Sequence, residues 1–148
     1  AIPRPFHSAQ GRLGRKQLEA LRLLLADLKS KGFCRIVMIH HPPVPGLASY
    51  FRGLIDAAAL KRILQDEGAE LVIYGHNHRR ELHWLGGRIP MVGVPSASMN
   101  VSGHVPAEWN LFTIVRQASQ WHVHLAIRKW HAATQGFEPE AAFPLVAP

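Results

Sequence analysis

The stretch LVIYGHNH at residues 71–78 constrains the fold more than any other part of the sequence. Four apolar residues, two of them β-branched, predict a short buried strand at 71–74. Gly75 follows, and we expect it to make a sharp turn that a residue with a Cβ would resist. His76 and His78 would then lie at the carboxyl end of a strand, where open α/β sheets bind their ligands. Because imidazole is the commonest metal ligand among side chains, the stretch predicts a binding site.

A second predicted strand with histidines at its end lies earlier in the chain. Residues 34–39 are mostly apolar, and His40 and His41 come directly after them. Pro42 and Pro43 follow and should end the strand, because proline fixes φ and has no backbone N–H. Two clusters of histidines at strand ends favour a shared function over two unrelated packing roles.

Two predicted helices connect these strands to the rest of the fold. An apolar stripe of leucines at helical spacing predicts a helix from about residue 15 to residue 31. Asp56 is a candidate N-cap for a second helix, which should end near Gly68. A strand, a helix and a strand in succession indicate a right-handed parallel crossover. That crossover would bring His40 and His76 to the same edge of one sheet.

Downstream of residue 78 the apolar residues alternate with polar ones, which indicates antiparallel strands. His122 and His124 form another i, i+2 pair, but no turn directs them into a crevice, so we expect an ordinary polar strand face. From residue 130 three prolines and weak periodicity predict an irregular tail. We therefore assign residues 1–129 to a domain portion and residues 130–148 to the tail. The predicted strands of this region are 82–85 and 89–94, joined by Gly86-Gly87, then 109–115 and 121–128.

The composition indicates one globular domain. The chain has 148 residues, 47% of them hydrophobic, and no apolar run reaches the roughly 18 residues of a membrane span. Cys34 is the single cysteine, so no internal disulfide can form and a cytoplasmic location is expected. The formal net charge is +7, but the basic residues are scattered and form no run, which argues against nucleic-acid binding.

His40, His76 and His78 offer three neutral nitrogen ligands on two loops. Three histidines could hold one catalytic zinc with an open position for water. The same spacing also suits half of a two-metal site, in which metals about 3.5–4 Å apart activate water and bind phosphoryl oxygens. Such a site needs bridging carboxylates, and no aspartate in this sequence stands in a D-x-H or G-D pattern.

At the level of motifs, the sequence resembles the C-terminal half of the calcineurin-like metallophosphoesterases. The resemblance rests on HHPP at residues 40–43, after one predicted strand, and on GHNH at residues 75–78, after the next. The helix that begins near residue 14 and the small-residue loop at 95–98 agree with it, so it covers the chain up to about residue 128. It implies an α/β fold, the C-terminal half of a four-layer αββα sandwich, with a mixed β-sheet and flanking helices.

The resemblance also implies a role for each histidine of the two motifs. His40 and His76 would bind one metal and His78 the other, and the cofactors would be two transition metal ions, either manganese, iron or zinc. His41 and Asn77 could contact metal or substrate, or support the loop. We assign no catalytic residue within this sequence, because the amino-terminal motifs of the family (D-x-H, G-D, and G-N-H followed by Asp or Glu) do not occur in it.

The implied function is a metal-dependent phosphoesterase that hydrolyses phosphate mono- or diesters with a metal-bound hydroxide. The motifs look nearest to the cyclic nucleotide phosphodiesterase-like branch. Because half of the ligand motifs are missing, we expect the chain to be inactive alone and to need the N-terminal half of the same domain as its partner. Apolar surface left uncovered would favour homo-oligomers. Two alternatives stay open, namely a non-catalytic binding module on the same fold and a mononuclear zinc hydrolase.

Overall fold

The computed structural model of the protein describes residues 9–98 and 106–147, and within these ranges it contains two helices and seven strands. Strands β1 to β4 form a mixed sheet in the order β1-β2-β4-β3, and β5 to β7 form an antiparallel sheet in chain order. The α/β fold and the mixed sheet with flanking helices agree with the prediction. The elements are α1 (Arg15–Ser30), β1 (Ile36–Ile39), α2 (Ala57–Glu67), β2 (Leu71–Tyr74), β3 (Glu81–Leu85), β4 (Ile89–Gly93), β5 (Glu108–Gln117), β6 (Gln120–His131) and β7 (Gly136–Pro144).

The two helices cover one face of the mixed sheet. Leu25 of α1 and Leu64 of α2 are buried there against Val37, Val72 and Tyr74 of the strands. β1 and β2 pair in parallel through the crossover helix α2, as the order of elements predicts. Their register places the last residues of both strands opposite each other, so the two loops that follow start side by side.

The second sheet packs on the opposite face of the mixed sheet. Leu71 and Val92 share a core with Val123, Leu125 and Ile127, which are the alternate residues of β6. The residues between them on β6 point away from this core. His122 and His124 are therefore exposed, as their alternation in the sequence predicts.

Part of this face of the mixed sheet is left uncovered. Ile36 and Met38 of the edge strand β1 lie in register with Leu71 and Ile73, and so on the same face. The second sheet covers Leu71, but Met38 is 77% exposed. That such a surface promotes self-association remains a prediction. No helix within the described ranges is both long enough and apolar enough to cross a bilayer.

The predicted irregular tail from residue 130 is wrong in its secondary structure. β6 continues to His131, and residues 136–144 form β7, which pairs antiparallel with β6. The prolines that argued for a tail, Pro139 and Pro144, lie on this outer strand of the sheet, where the missing N–H is tolerated. Phe143 of the same strand packs on the core between the sheets.

Asp56 also acts differently from the prediction. It directly precedes α2, but its side chain makes no capping hydrogen bond to that helix. Instead its carboxylate accepts hydrogen bonds from the backbone N–H groups of Leu13, at 3.1 Å, and Gly14, at 2.7 Å. Since Gly14 is the residue before α1, Asp56 places a negative charge at the amino-terminal end of that helix and ties the starts of the two helices together.

Candidate metal centre

The parallel pairing of β1 and β2 brings the two histidine loops together. The backbone N–H of Gly75 donates to the carbonyl of His40 at 3.0 Å, immediately beyond the paired strand ends. Gly75, where we expect a sharp turn, does not have a positive φ; the left-handed backbone conformation occurs at His76 (φ 71°) and His78 (φ 54°). Residues other than glycine adopt it seldom, and such strained positions are concentrated at functional sites.

Three of the predicted histidines form a compact group. Nε2 of His40 lies 3.1 Å from Nδ1 of His76. The ring centroids are 5.1 Å apart for His40 and His41, and 4.5 Å apart for His41 and His76. His41 donates from Nε2 to the carbonyl of Ala9 at 2.9 Å. His78 is exposed on the same loop as His76.

The surroundings of these rings favour their neutral forms. Burial lowers the pKa of His76 to about 4, and the charges of His41, His40 and Arg52 act in the same direction. The pKa of His40 is also lowered, first by burial and then by the charges of His41 and His78. A neutral imidazole keeps a lone pair on one nitrogen, which is the form that binds a metal.

The spacing of the two facing nitrogens fits one part of a metal site. Two nitrogens bound to the same ion at about 2.0–2.1 Å lie roughly 3 Å apart, so the 3.1 Å between His40 and His76 suits a pair of ligands. In the part of the chain that the structure describes, however, no group of three or more His, Cys, Asp or Glu side chains is arranged to hold a metal. The described residues therefore offer one pair of facing nitrogens and no complete set of metal ligands.

A network around Glu81 holds the loop that carries His76 and His78. The side-chain amide of Asn77 donates to the carbonyl of Leu47 at 2.7 Å and to Oε1 of Glu81 at 3.1 Å. The hydroxyl of Tyr74 and Nε of Arg79 donate to the same carboxylate. Burial raises the pKa of Glu81, but these hydrogen bonds outweigh it and hold the pKa below its usual value. The carboxylate is therefore charged, and it fixes both ends of the histidine loop.

Sequence reasoning missed two parts of this site. Glu81 is not among the predicted site residues, because its bond to Asn77 depends on a turn that periodicity does not reveal. Arg52 is not among the predicted site residues either; it lies between β1 and α2, and its Nη2 donates to the carbonyl of His76 at 3.5 Å. An arginine in the loop after a pair of strand-end histidines was the only available signal for it.

Comparison with known protein families identifies the family of this chain. The family model described as calcineurin-like phosphoesterase matches residues 5–80, which is half of the chain and contains both histidine motifs. No curated protein matches the chain.

Several solved structures are similar to the chain. The structure described as GAP50, the anchor in the inner membrane complex of Plasmodium, is 16% identical with a TM-score of 0.52, and the match covers 90% of this chain and 42% of that one. A single mutant of Vps29 from Entamoeba histolytica is 17% identical with a TM-score of 0.42, covering 73% of this chain and 54% of that one. A putative 5′-nucleotidase from Staphylococcus aureus is 10% identical with a TM-score of 0.37, covering 92% and 23%.

The chain thus spans about half, or less, of the length of these structures. At this level of identity, the match to GAP50 shows a common fold and nothing about activity. The α/β architecture is that of part of a metallophosphoesterase domain. With the family model matching the segment that carries His40 and His76, the chain belongs to the calcineurin-like phosphoesterase family.

Proposed function

We propose that this chain supplies His40, His76 and His78 to the two-metal centre of a phosphoesterase, and that carboxylates outside this sequence complete that centre. The observation that carries the proposal is the 3.1 Å approach of Nε2 of His40 to Nδ1 of His76. Family membership supports hydrolysis of phosphate esters as the reaction. The finer assignment to diesters related to cyclic nucleotides rests on the motifs alone.

Each histidine has a distinct role in this proposal. His40 and His76 would hold one ion and His78 the second, with manganese, iron or zinc as the ions. When bound, the ions would polarise a phosphoryl oxygen and lower the pKa of water. The chain itself keeps His40 and His76 neutral, and the bonds from Asn77 to Leu47 and Glu81 orient the loop. His41 supports the site by its bond to Ala9.

Catalysis by this chain alone is not expected. A two-metal site needs carboxylates to bridge and neutralise the cations, and the described residues contribute no such group to the histidines. We infer that the N-terminal half of the domain supplies them and is the principal partner of the surface around His40. A cytoplasmic location is part of the same proposal, since the sequence contains one cysteine and no disulfide pair.

Metal binding by matched variants tests the proposal. Zn²⁺ and Mn²⁺ are titrated into the chain at pH 7 by calorimetry, with the double variants His76→Ala/His78→Ala and His122→Ala/His124→Ala. Both variants remove an i, i+2 histidine pair, but the second pair lies on the exposed face of β6. We expect the loop variant to lose at least tenfold in affinity for Zn²⁺ and the β6 variant to match the wild type. Equal affinities for the two variants would overturn the metal assignment.

Activity is tested in a longer chain that carries D-x-H and G-N-H segments upstream. Release of p-nitrophenol from bis-p-nitrophenyl phosphate should depend on added metal and should disappear in His76→Ala. Absence of metal-dependent release from the wild-type chain would overturn the enzymatic proposal. Zinc bound at one equivalent, together with hydrolysis by the 148-residue chain alone, would favour the mononuclear alternative instead.

A non-catalytic binding module is the second candidate. The observation that favours it is that no complete set of metal ligands occurs in residues 9–98 and 106–147. If this candidate is correct, His76→Ala/His78→Ala should leave the binding of a partner unchanged. A loss of partner binding that tracks the loss of metal would exclude it.

A further inference from the structure

A cavity of about 370 Å³ borders the loop that carries the histidines. Asn77, which lies between His76 and His78 in the chain, forms part of its wall, so the cavity borders the segment that carries two of the candidate ligands. Arg79 of the same loop and residues of the loop after β1 form the other walls. The lining residues are Gly46, Leu47, Ala48, Ser49, Arg52, Asn77 and Arg79.

The lining of this cavity carries two positive charges and no carboxylate. Arg79 is held through its Nε by Glu81, whose side chain is only 8% exposed, while the side chain of Arg79 is 63% exposed. Arg52 forms no ion pair with any carboxylate of the described residues, and its Nη2 makes a long hydrogen bond to the carbonyl of His76. Two guanidinium groups therefore line the cavity. The forked N–H donors of a guanidinium group suit phosphate oxygens.

A second cavity of about 330 Å³ adjoins the first and differs in chemistry. The two share Gly46, Ala48 and Ser49 in their linings, so they lie side by side. The second cavity is lined mainly by apolar groups, including Val44 and Leu54, and by the exposed ring of Tyr50. A ligand with an anionic group and an apolar or aromatic body could therefore occupy both cavities at once.

We propose that Arg52 and Arg79 bind a second phosphoryl group of the substrate, next to the phosphoryl group that is hydrolysed at the histidines. The substrate class is then an organic phosphate ester with two neighbouring phosphoryl groups and an apolar or aromatic body. The identity of the ligand as a substrate rests on the function proposed above. The binding of the anion itself rests only on the two arginines and the cavity.

Direct binding of pyrophosphate to the metal-free chain tests this inference. Pyrophosphate is titrated by calorimetry into the wild type and into the variants Arg52→Gln, Arg79→Gln and Arg88→Gln, with EDTA present so that no metal contributes. Arg88 is the matched control, because it is exposed at the opposite end of the β3–β4 hairpin and its replacement changes the net charge equally. Circular dichroism verifies that each variant is folded.

We expect saturable binding of one pyrophosphate in the wild type and in Arg88→Gln, and a loss of at least tenfold in affinity in Arg52→Gln and Arg79→Gln. Since Arg79 also bonds to Glu81, Arg52→Gln gives the decisive comparison if Arg79→Gln fails to fold. Absence of saturable binding to the wild type, or equal losses in Arg52→Gln and Arg88→Gln, would overturn the inference.

The outcome is separable from that of the proposed function. Pyrophosphate binding that depends on Arg52, in a chain whose histidines bind no metal, would support the anion site and refute the metal centre. The opposite result is also informative. If ester hydrolysis depends on metal, but Arg52→Gln has the same KM as the wild type for substrates with two phosphoryl groups, the metal centre is supported and the anion site is refuted.

Discussion

The hydroxyl of Tyr74 donates a hydrogen bond of 2.8 Å to Oε2 of Glu81. Tyr74 is the last residue of β2 and Glu81 the first residue of β3, so this bond spans the base of the histidine loop. Asn77, inside the loop, donates to the same carboxylate. One buried carboxylate therefore bonds to residues at the base of the loop and inside it, and so helps to hold the conformation of His76 and His78.

Replacement of Tyr74 by phenylalanine should destabilise the chain. The ring is buried and its shape is kept, but a hydrogen bond to a charged acceptor is lost, which costs about 1.5–3 kcal/mol. Urea denaturation of Tyr74→Phe measures this as a lower midpoint. Tyr50→Phe is the control, because Tyr50 is exposed and should leave the midpoint unchanged. Equal midpoints for the two variants would contradict the role assigned to Tyr74.

Glu81 should make the folded chain sensitive to acid. Burial raises its pKa, but hydrogen bonds from Tyr74, Arg79 and Asn77 outweigh burial and lower the pKa in the folded state. His83 faces the same carboxylate at 4.0 Å. A lowered pKa stabilises the fold above the unfolded-state value of about 4.3, and this contribution is lost as pH falls through the folded-state pKa.

Urea denaturation of the wild type and Glu81→Gln at a series of pH values tests this linkage. At pH 7 the variant should be less stable than the wild type. As pH falls below about 4.3, the difference should shrink, because the wild-type carboxylate becomes protonated as well. A difference that stays constant across the series would show that Glu81 does not carry the linkage.

Replacement by alanine should destabilise the chain at one of two glycines near the site and not at the other. A Cβ at Gly93 would lie 3.0 Å from ring atoms of Tyr74 and from Cβ of Glu81, so these neighbours must give by a few tenths of an ångström. Because the ring of Tyr74 is buried and bonded to Glu81, we expect this to lower the free energy of unfolding by about 1–3 kcal/mol. A Cβ at Gly75 would come no closer than 3.8 Å to the carbonyl oxygen of His40, an ordinary contact. Thermal unfolding should show a clear drop in Tm for Gly93→Ala only, and a larger drop for Gly75→Ala would contradict the conformation of the loop.

An ion pair at the opposite end of β1 and β2 from the histidines should matter for stability alone. Arg35 is buried, and its guanidinium donates to both carboxylate oxygens of Glu70, at 3.1 and 2.8 Å. Glu70→Gln removes the negative charge and leaves the guanidinium without its counter-ion. We expect it to lower the free energy of unfolding by about 3 kcal/mol. Glu19→Gln, which removes the exposed partner of Arg22, is the control and should have no measurable effect. Similar denaturation midpoints for both variants would contradict the importance of burial here.

Periodicity in the sequence predicted the elements whose structure depends on local pattern. The helix that begins at Arg15, the strand Leu71–Tyr74 and the hairpin around Gly86 all occur where apolar spacing and turn residues indicated them. The parallel crossover followed from the order of these elements. It also brought His40 and His76 together, because the topology alone places their strand ends side by side.

Features that depend on distant partners could not be predicted in this way. β7 forms because β6 pairs with it, although Pro139 and Pro144 weaken the local signal for a strand. Asp56 bonds to the start of α1 across 42 residues of chain instead of capping the helix beside it. Glu81 can bond to Asn77 because the chain turns between them. In that turn the positive φ angles occur at His76 and His78, and the sequence does not predict them because residues other than glycine seldom adopt positive φ.

Because Met38 is exposed, oxidation of its thioether can be used to detect contacts at this face of the sheet. Its thioether is open to water on β1, whereas Met91, on the helix-covered side of the same sheet, is 3% exposed. Mild peroxide should therefore convert Met38 to the sulfoxide well before Met91. Peptide mass spectrometry of the two sulfoxides would then show, residue by residue, whether another polypeptide shields that side of the sheet from oxidant.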